Sequence, residues 1–160
     1  MLIKGGIEYE MGDYATAEET MVAAAALPSV RRKVTDPNML NFKVLTYSEK
    51  DRCSIFLLLA KSYIKNKKPK ECKQVITQAI SQFAGTPEEV HVMLTNALIS
   101  VEAGDIKKAM SILRAVKSDS PYFVESRKML ADIHLEHLKN RKGYAKCYYE
   151  IIEAVPTFEN

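Results

Sequence analysis

A Gly-Asp turn recurs in this chain and interrupts a helical pattern each time. It stands at Gly12 in EMGDYATAEE (residues 10–19) and at Gly104 in EAGDIKKAMS (residues 102–111), 92 residues later (104 minus 12). A helical pattern that stops at glycine and resumes at once is typical of two antiparallel helices joined by a short turn. Such a motif, when it recurs, predicts a helical-repeat fold, and this constrains the chain more than any other feature of its sequence.

Residues at fixed distances from these turns share their size. A small residue lies seven positions before the turn, a small one five after it, a large apolar one nine after it, and a small or apolar one twelve after it. The series holds for origins at Gly12, Lys67 and Gly104, and its members are Gly5, Ala17, Met21 and Ala24; Ala60, Cys72, Ile76 and Ala79; and Ala97, Ala109, Leu113 and Val116. The small residues would let the two helices of a hairpin approach closely, while the large one fills the space to the next hairpin.

A fourth origin at Lys142 fits less well. It gives Cys147, Ile151 and Ala154 after the turn, but a small residue before it, Ala131, is recovered only by a shift of four positions. We therefore predict that the first helix of the fourth repeat is one turn longer than the others.

The chain is thus predicted to be all-α, a tetratricopeptide-like solenoid of about four helical hairpins with one long insertion. The predicted segments are repeat 1 (1–28), the insertion (29–47), repeat 2 (48–84), repeat 3 (85–119) and a degenerate repeat 4 (120–160). Helix starts are expected at Thr86-Pro87, at Ser120-Pro121 and at Ser48 with Asp51. The eight predicted helices are Leu2–Met11, Tyr14–Ala26, Glu49–Asn66, Pro69–Phe83, Pro87–Ala103, Ile106–Lys117, Pro121–Lys139 and Tyr144–Val155.

Within the insertion, LNFKVLTY roughly alternates between apolar and polar residues and suggests an extended segment on the outside of the helices. A loop of this length is either a functional contact or a tolerated excursion held by a few apolar side chains.

Composition excludes several classes of protein. The chain is 47% hydrophobic and 27% charged, which is typical of a folded protein, and its apolar runs are shorter than the roughly 20 residues that span a bilayer. A net charge of +3 favours neither a nucleic-acid nor a membrane-surface partner. The three cysteines form no CxxC pair, which predicts buried free thiols and a reducing compartment, and the charged N-terminal residues do not resemble a signal peptide.

No catalytic, cofactor-binding or metal-binding constellation is found. His134 and His137 lie three residues apart with Glu136 between them, but no further set of ligands at metal-binding spacing accompanies them. The sequence has no P-loop, GxGxxG motif or arrangement of nucleophile and base. We therefore predict no enzyme, no cofactor and no metal site.

The candidate binding surface is the concave face, which the first helix of each hairpin lines in repeats of this kind. It is mostly apolar, which suggests a helical or extended apolar ligand or burial inside a larger superhelix. If the helical phase is off by one residue, some of its members belong to the core instead. The residues predicted to line it are Leu2, Gly6 and Tyr9; Leu57, Lys61 and Ile64; and Leu94, Leu98 and Val101.

Two basic clusters, residues 65–73 and 139–146, cover hairpin turns. They would either meet an acidic partner or serve as solvated turns, where lysine suits the C-terminal end of a helix.

Two other kinds of helical-repeat protein fit poorly. A clamp for the acidic C-terminus of chaperones requires Lys, Asn and Arg on its first helices, and the corresponding positions here cannot grip a carboxylate. An RNA-binding repeat would read bases with polar side chains, whereas the predicted inner wall is apolar. The positions that replace the clamp residues are Leu2, Gly6, Leu58, His91 and Thr95.

Four runs carry a more specific resemblance: IKGGIEYEMGDYATAEETMVAAAALP, FAGTPEEV, AGDIKKAMSIL and PYFVESRKMLADIHL. They resemble the tetratricopeptide-repeat subunit of intraflagellar transport complex A, and the long insertion matches the layout of that family. The resemblance implies a non-catalytic scaffold of the particle that carries cargo back from ciliary tips and helps receptors enter cilia. That subunit is a nearly unbroken array of repeats, so we expect this chain to correspond to a middle slice of it.

The resemblance also implies partners and a location. The partners would be other subunits of complex A and ciliary cargo or adaptors, with no nucleic acid and no insertion into a membrane. The location would be the cytoplasm and the cilium, at the axoneme and the ciliary base. The alternative is a tetratricopeptide adaptor of another cytosolic complex, without a chaperone carboxylate clamp.

Overall fold

The computed structural model describes residues 1–26 and 47–155, and the regular structure in these ranges is helical. The helices confirm the all-α helical-repeat class, and each begins and ends within three residues of its predicted bounds. They are α1 (Leu2–Glu10), α2 (Tyr14–Ala25), α3 (Glu49–Lys65), α4 (Pro69–Phe83), α5 (Glu89–Glu102), α6 (Ile106–Arg114), α7 (Phe123–Glu136) and α8 (Arg141–Ala154). The extended segment predicted within the insertion lies outside the described residues.

The chain divides into two compact units, residues 1–88 and 89–160. In the first unit, α1 packs with α2, α2 with α3, and α3 with α4. The second unit shows the same order, because α5 packs with α6, α6 with α7, and α7 with α8. Each unit is therefore a pair of helical hairpins packed side by side.

Three turns confirm the predicted origins of the repeat. Gly12, Lys67 and Gly104 have φ angles of 82°, 57° and 80°, the left-handed conformation that ends a helix. At Gly12, the amide N–H donates to the carbonyl of Tyr9, and the next N–H donates to the carbonyl five residues back, at 2.9 Å. The same pair of hydrogen bonds closes the turns at Lys67 and Gly104. These are Schellman motifs, in which a left-handed residue is required at the position that sequence spacing identified.

The fourth turn differs from its prediction. The left-handed residue is Lys139, with a φ of 52°, rather than Lys142. Asn140 donates its N–H to the carbonyl of His134, six residues back, so the turn is wider than the other three. The first helix, α7, has 14 residues like α5 and is not longer, so that prediction is wrong. The additional turn belongs to the start of α8, where Cys147 lies six residues after the first helical residue instead of three.

The additional turn of α8 crosses α7 at a glycine. A Cβ atom added to Gly143 would overlap Nδ1 of His134 and lie 2.7 Å from Cε1 of the same ring, and His134 is only 8% exposed. Because the buried ring has little room to move, we expect Gly143→Ala to lower the free energy of unfolding by about 1–3 kcal/mol. Urea denaturation followed by circular dichroism would measure this.

Gly6→Ala is the matched control, because a Cβ atom added there meets nothing within 4 Å. Alanine has the higher helix propensity, so this variant should gain up to about 1 kcal/mol. Equal effects of the two substitutions would contradict the close contact at Gly143.

Burial follows the predicted series. The small residues before and after each turn are buried, and the four that follow the turns are Ala17, Cys72, Ala109 and Cys147. Met21 and Leu113, both at the large apolar position, are fully buried and join the cores of the first and second units respectively. In α8 the residues nine and twelve positions after Lys142, Ile151 and Ala154, are only partly buried.

The predicted helix caps form, with one systematic shift. Ser48 Oγ accepts the N–H of Asp51 at 3.1 Å, as expected for an N-cap. Thr86 and Ser120 instead accept the N–H two residues on, at 3.3 and 3.2 Å. This short hydroxyl turn delays α5 and α7 until two residues after their prolines.

Candidate functional site

The residues predicted for the concave face have unequal exposure. Leu57 and Leu94 are each 3% exposed and belong to the packed interior, as expected if part of the predicted face is core. Leu98 is the most open, with 36% of its surface exposed. Partial burial is found for the others, which are Leu2, Gly6, Tyr9, Lys61, Ile64 and Val101.

In the second unit, two of these residues line a groove between α5 and α7. The groove has a volume of about 220 Å³, enough for one or two side chains. Leu98 and Val101 form its α5 wall, and Ile133 of α7, only 3% exposed, belongs to its floor. The remaining lining residues, all from α7 and its end, are Met129, Asp132, Glu136 and His137.

The α7 wall was missed by sequence reasoning, although a signal for it exists. Predicted wall residues lie ten, six and three positions before each turn, as Leu94, Leu98 and Val101 do before Gly104. Counted from Lys139, the true fourth turn, these positions are Met129, Ile133 and Glu136, and all three line the groove. These residues were missed because the positions had been counted from Lys142 instead of Lys139.

One rim of the groove is acidic. Asp132 and Glu136 lie one helical turn apart on α7, and both are exposed. Carboxylates at this spacing repel each other, and in the part of the chain that the structure describes neither forms an ion pair. An apolar floor beside an unneutralised acidic rim suits an apolar side chain that is followed or preceded by lysine or arginine.

The two histidines considered as half of a metal site lie in different surroundings. His134 is buried against Gly143 of α8, whereas His137 is exposed at the end of the groove. Burial, and then the positive charge of Arg114, lower the pKa of His134. The lowered pKa disfavours a charged imidazolium at the contact between α7 and α8.

The cysteines are buried free thiols, as predicted. Burial, with a smaller contribution from Glu88 and Glu49, raises the pKa of Cys53 to about 12. Burial also raises the pKa of Cys147. Thiols held in the protonated form are poor nucleophiles, so these side chains act as packing residues.

Two residues of the first basic cluster form bonds to another helix of the same unit. Lys68 Nζ lies 2.7 Å from Oε1 of Glu18, and the amide of Asn66 donates to Oε2 of Glu18 and to the carbonyl of Tyr14. These bonds join the end of α3 to α2. The turn is therefore a structural junction of the first unit.

None of the helices that the structure describes combines the length and apolar character needed to cross a bilayer.

Comparison with known proteins gives one consistent result. A sequence model described as the tetratricopeptide repeat protein 21 ARM repeat matches residues 1–151. Tetratricopeptide repeat protein 21B of Mus musculus is 36% identical over 156 residues, 98% of this chain and 12% of the relative. The Homo sapiens protein of the same name is 38% identical over 152 residues, 95% of this chain and 12% of the relative. A Caenorhabditis elegans homolog of tetratricopeptide repeat protein 21 is 27% identical over 157 residues, 97% of this chain and 12% of the relative.

Proposed function

Because this chain belongs to the tetratricopeptide repeat protein 21 family, we propose that it is part of a non-catalytic protein-binding scaffold. The chain spans about 12% of the length of these relatives, so the proposal concerns the contribution of one segment. Helical repeats of this class act by presenting surfaces to other proteins rather than by chemistry.

The scaffold we propose is intraflagellar transport complex A, in retrograde ciliary transport and in the entry of proteins into cilia. The support for it is the resemblance of four runs spread over nearly the whole chain, together with membership of the family. Its partners would be other subunits of complex A and ciliary cargo or adaptors, in the cytoplasm and the cilium. A role in another cytosolic complex is the competing outcome.

The observation that carries the binding role is the groove between α5 and α7. Its floor is apolar, its rim holds Asp132 and Glu136, and its most exposed apolar residue is Leu98. A partner segment with an apolar anchor beside a basic residue would bury Leu98 and neutralise the rim. Such a contact gains both from apolar burial and from charge complementarity.

The test is affinity purification of the tagged full-length protein from ciliated cells, followed by quantitative mass spectrometry. Complex A subunits should be recovered with the wild-type protein in near-equal amounts. Leu98→Asp should reduce the recovery of at least one of them tenfold or more, since a new carboxylate would enter an apolar and already acidic groove.

Leu135→Asp is the matched control, because Leu135 is an exposed leucine on α7 (43%) outside the groove. Equal losses from both variants would remove the groove from the proposal. Recovery of an unrelated complex by the wild-type protein would refute the assignment to complex A.

A further inference from the structure

The outward face of α8 carries an apolar stripe. Ala145, Tyr148, Tyr149 and Ile152 follow the spacing i, i+3, i+4, i+7, which places them on one side of a helix. Tyr149 is 67% and Ile152 62% exposed. The opposite side of α8 contacts the core through Cys147, so this helix is apolar on two sides.

In α4 and α6 the same positions are mostly polar, and in α2 they hold two glutamates with Ala15 and Val22. Counted from the small buried residue of each helix, the stripe corresponds to Lys107, Met110, Ser111 and Arg114 in α6. Three of these are polar and exposed, although α7 packs against α6. In α4 the equivalents are all exposed and polar, and they are Lys70, Lys73, Gln74 and Thr77.

This comparison indicates that the apolar residues of the stripe are not explained by the stacking of one hairpin on the next. A helix covered by the next hairpin, such as α6, leaves three of these four positions in solvent, while Met110, the equivalent of Tyr148, is partly buried. Stacking of a following hairpin in the same manner would therefore leave Ala145, Tyr149 and Ile152 exposed. Exposed tyrosine and isoleucine at helical spacing, rather than singly scattered, mark a surface for another molecule.

The α8 stripe contains a depression and has positively charged residues at one end. A depression of about 310 Å³ is lined by the four stripe residues and Tyr144, whose ring centroid lies 4.9 Å from that of Tyr148. Three exposed cations lie at the N-terminal half of the helix, one end of the stripe: Arg141, Lys142 and Lys146. They belong to the second basic cluster, residues 139–146.

We propose that the α8 stripe binds an acidic amphipathic helix of a partner protein. Apolar side chains of that helix would enter the depression between the tyrosines, and its carboxylates would face Arg141, Lys142 and Lys146. A concave pocket that accepts an individual side chain favours a protein helix over a flat membrane surface. Tyrosine suits such a contact because it buries a large apolar ring while keeping its hydroxyl in water.

The binding test uses two fluorescent helical peptides with the same leucines at i, i+3, i+4 and i+7. One carries glutamate and the other glutamine at its remaining positions, and binding to the protein is followed by anisotropy. The acidic peptide should bind at least tenfold more tightly than the glutamine peptide, and its affinity should fall as salt rises. Tyr149→Ser and Ile152→Ser should each weaken the acidic peptide about tenfold.

Ile80→Ser is the matched control, since Ile80 is an exposed isoleucine (46%) on α4, outside the stripe. It should leave the affinity unchanged, and thermal unfolding should show that all three variants remain folded. Equal affinity for the two peptides, or an acidic-peptide affinity that the stripe variants do not alter, would overturn the proposal. So would tighter binding of a single-stranded RNA oligonucleotide or of vesicles containing phosphatidylserine. Neither peptide carries the lysine or arginine that the groove of α5 and α7 is proposed to accept, so the outcome is independent of the proposed function.

Discussion

Replacing Arg127 with leucine is expected to cost about 3 kcal/mol of the free energy of unfolding, the largest loss that any charged residue of the second unit should show. Arg127 is 8% exposed and lies on α7. Its Nη1 donates to the carbonyl of Leu113 at 2.8 Å, and its Nη2 to the carbonyl of Val116 at 3.4 Å. Its Nε lies 2.6 Å from Oε2 of Glu150 on α8. One guanidinium thus joins three consecutive helices.

Stability is lost because the groups that Arg127 contacts would remain in place without a positive charge to interact with. Carbonyls at the C-terminal end of α6 carry the negative end of the helix dipole, and Arg127 is the cation that satisfies them. Without it, these carbonyls lose a charged donor, and the carboxylate of Glu150, 35% exposed, loses its counter-ion. The guanidinium also lies 4.4 Å from the centroid of the Phe123 ring, a cation–π contact that leucine cannot make.

Equilibrium unfolding in urea would measure the effect, with Lys128→Leu as the matched control. Lys128 is the next residue of the same helix and is exposed, so its substitution should change the free energy by less than about 0.5 kcal/mol. Arg127→Lys should recover only part of the loss, because an ammonium group cannot bridge two carbonyls and a carboxylate as a planar fork does. A cost below about 1 kcal/mol for Arg127→Leu would contradict this role.

Arg127 also shows what sequence reasoning omits. The repeat offsets predict the helices and their small contacts because close packing leaves its mark at fixed spacing, as at Ala97 and Ala109. A buried cation leaves no such mark, since an arginine in a helix is normally read as a solvated residue. Its burial depends on carbonyls 11 and 14 residues away in sequence, which become its neighbours only when the hairpins pack.

The fourth turn failed in prediction for a related reason. A glycine at the end of a helical pattern predicts a residue in the left-handed conformation, as at Gly12 and Gly104. Lys139 adopts the same conformation, but a lysine does not predict it. Without a glycine, the turn had to be predicted by counting back from the small residue of the next helix, Cys147. This count placed the turn too late, because α8 begins one turn earlier relative to its small residue than the other second helices do. The groove was consequently predicted from α5 alone, although the offsets apply equally to α7.

The two apolar surfaces of the second unit, the groove and the α8 stripe, differ in how far the repeat predicts them. The groove occupies positions that are mostly apolar in each hairpin, so part of it could be predicted. The α8 stripe occupies positions that are mostly polar in α4 and α6, so no repeat rule predicts it. Deviation from the repeat, once the structure has fixed the register, is the feature that distinguishes a surface specific to this segment.

Replacing Ala97 with leucine is expected to destabilise the chain by about 1–3 kcal/mol, the second large effect. Ala97 of α5 and Ala109 of α6 are both 0% exposed and belong to the same core cluster, where two helices of one hairpin meet. Three further heavy atoms at this contact cannot be accommodated in a close-packed interior without displacing a helix or forcing side chains from their preferred rotamers.

The matched control is Ala23→Leu, an exposed alanine within α2 that has room for the larger side chain. Leucine and alanine differ little in helix propensity, so this variant should remain within about 0.5 kcal/mol of the wild-type protein. Thermal unfolding of both variants against the wild type would compare them directly. Wild-type stability of Ala97→Leu would mean that α5 and α6 do not approach closely at this contact. The recurrence of a small residue at the same distance from each turn would then have no physical reason, since only close approach of the helices requires a small side chain there.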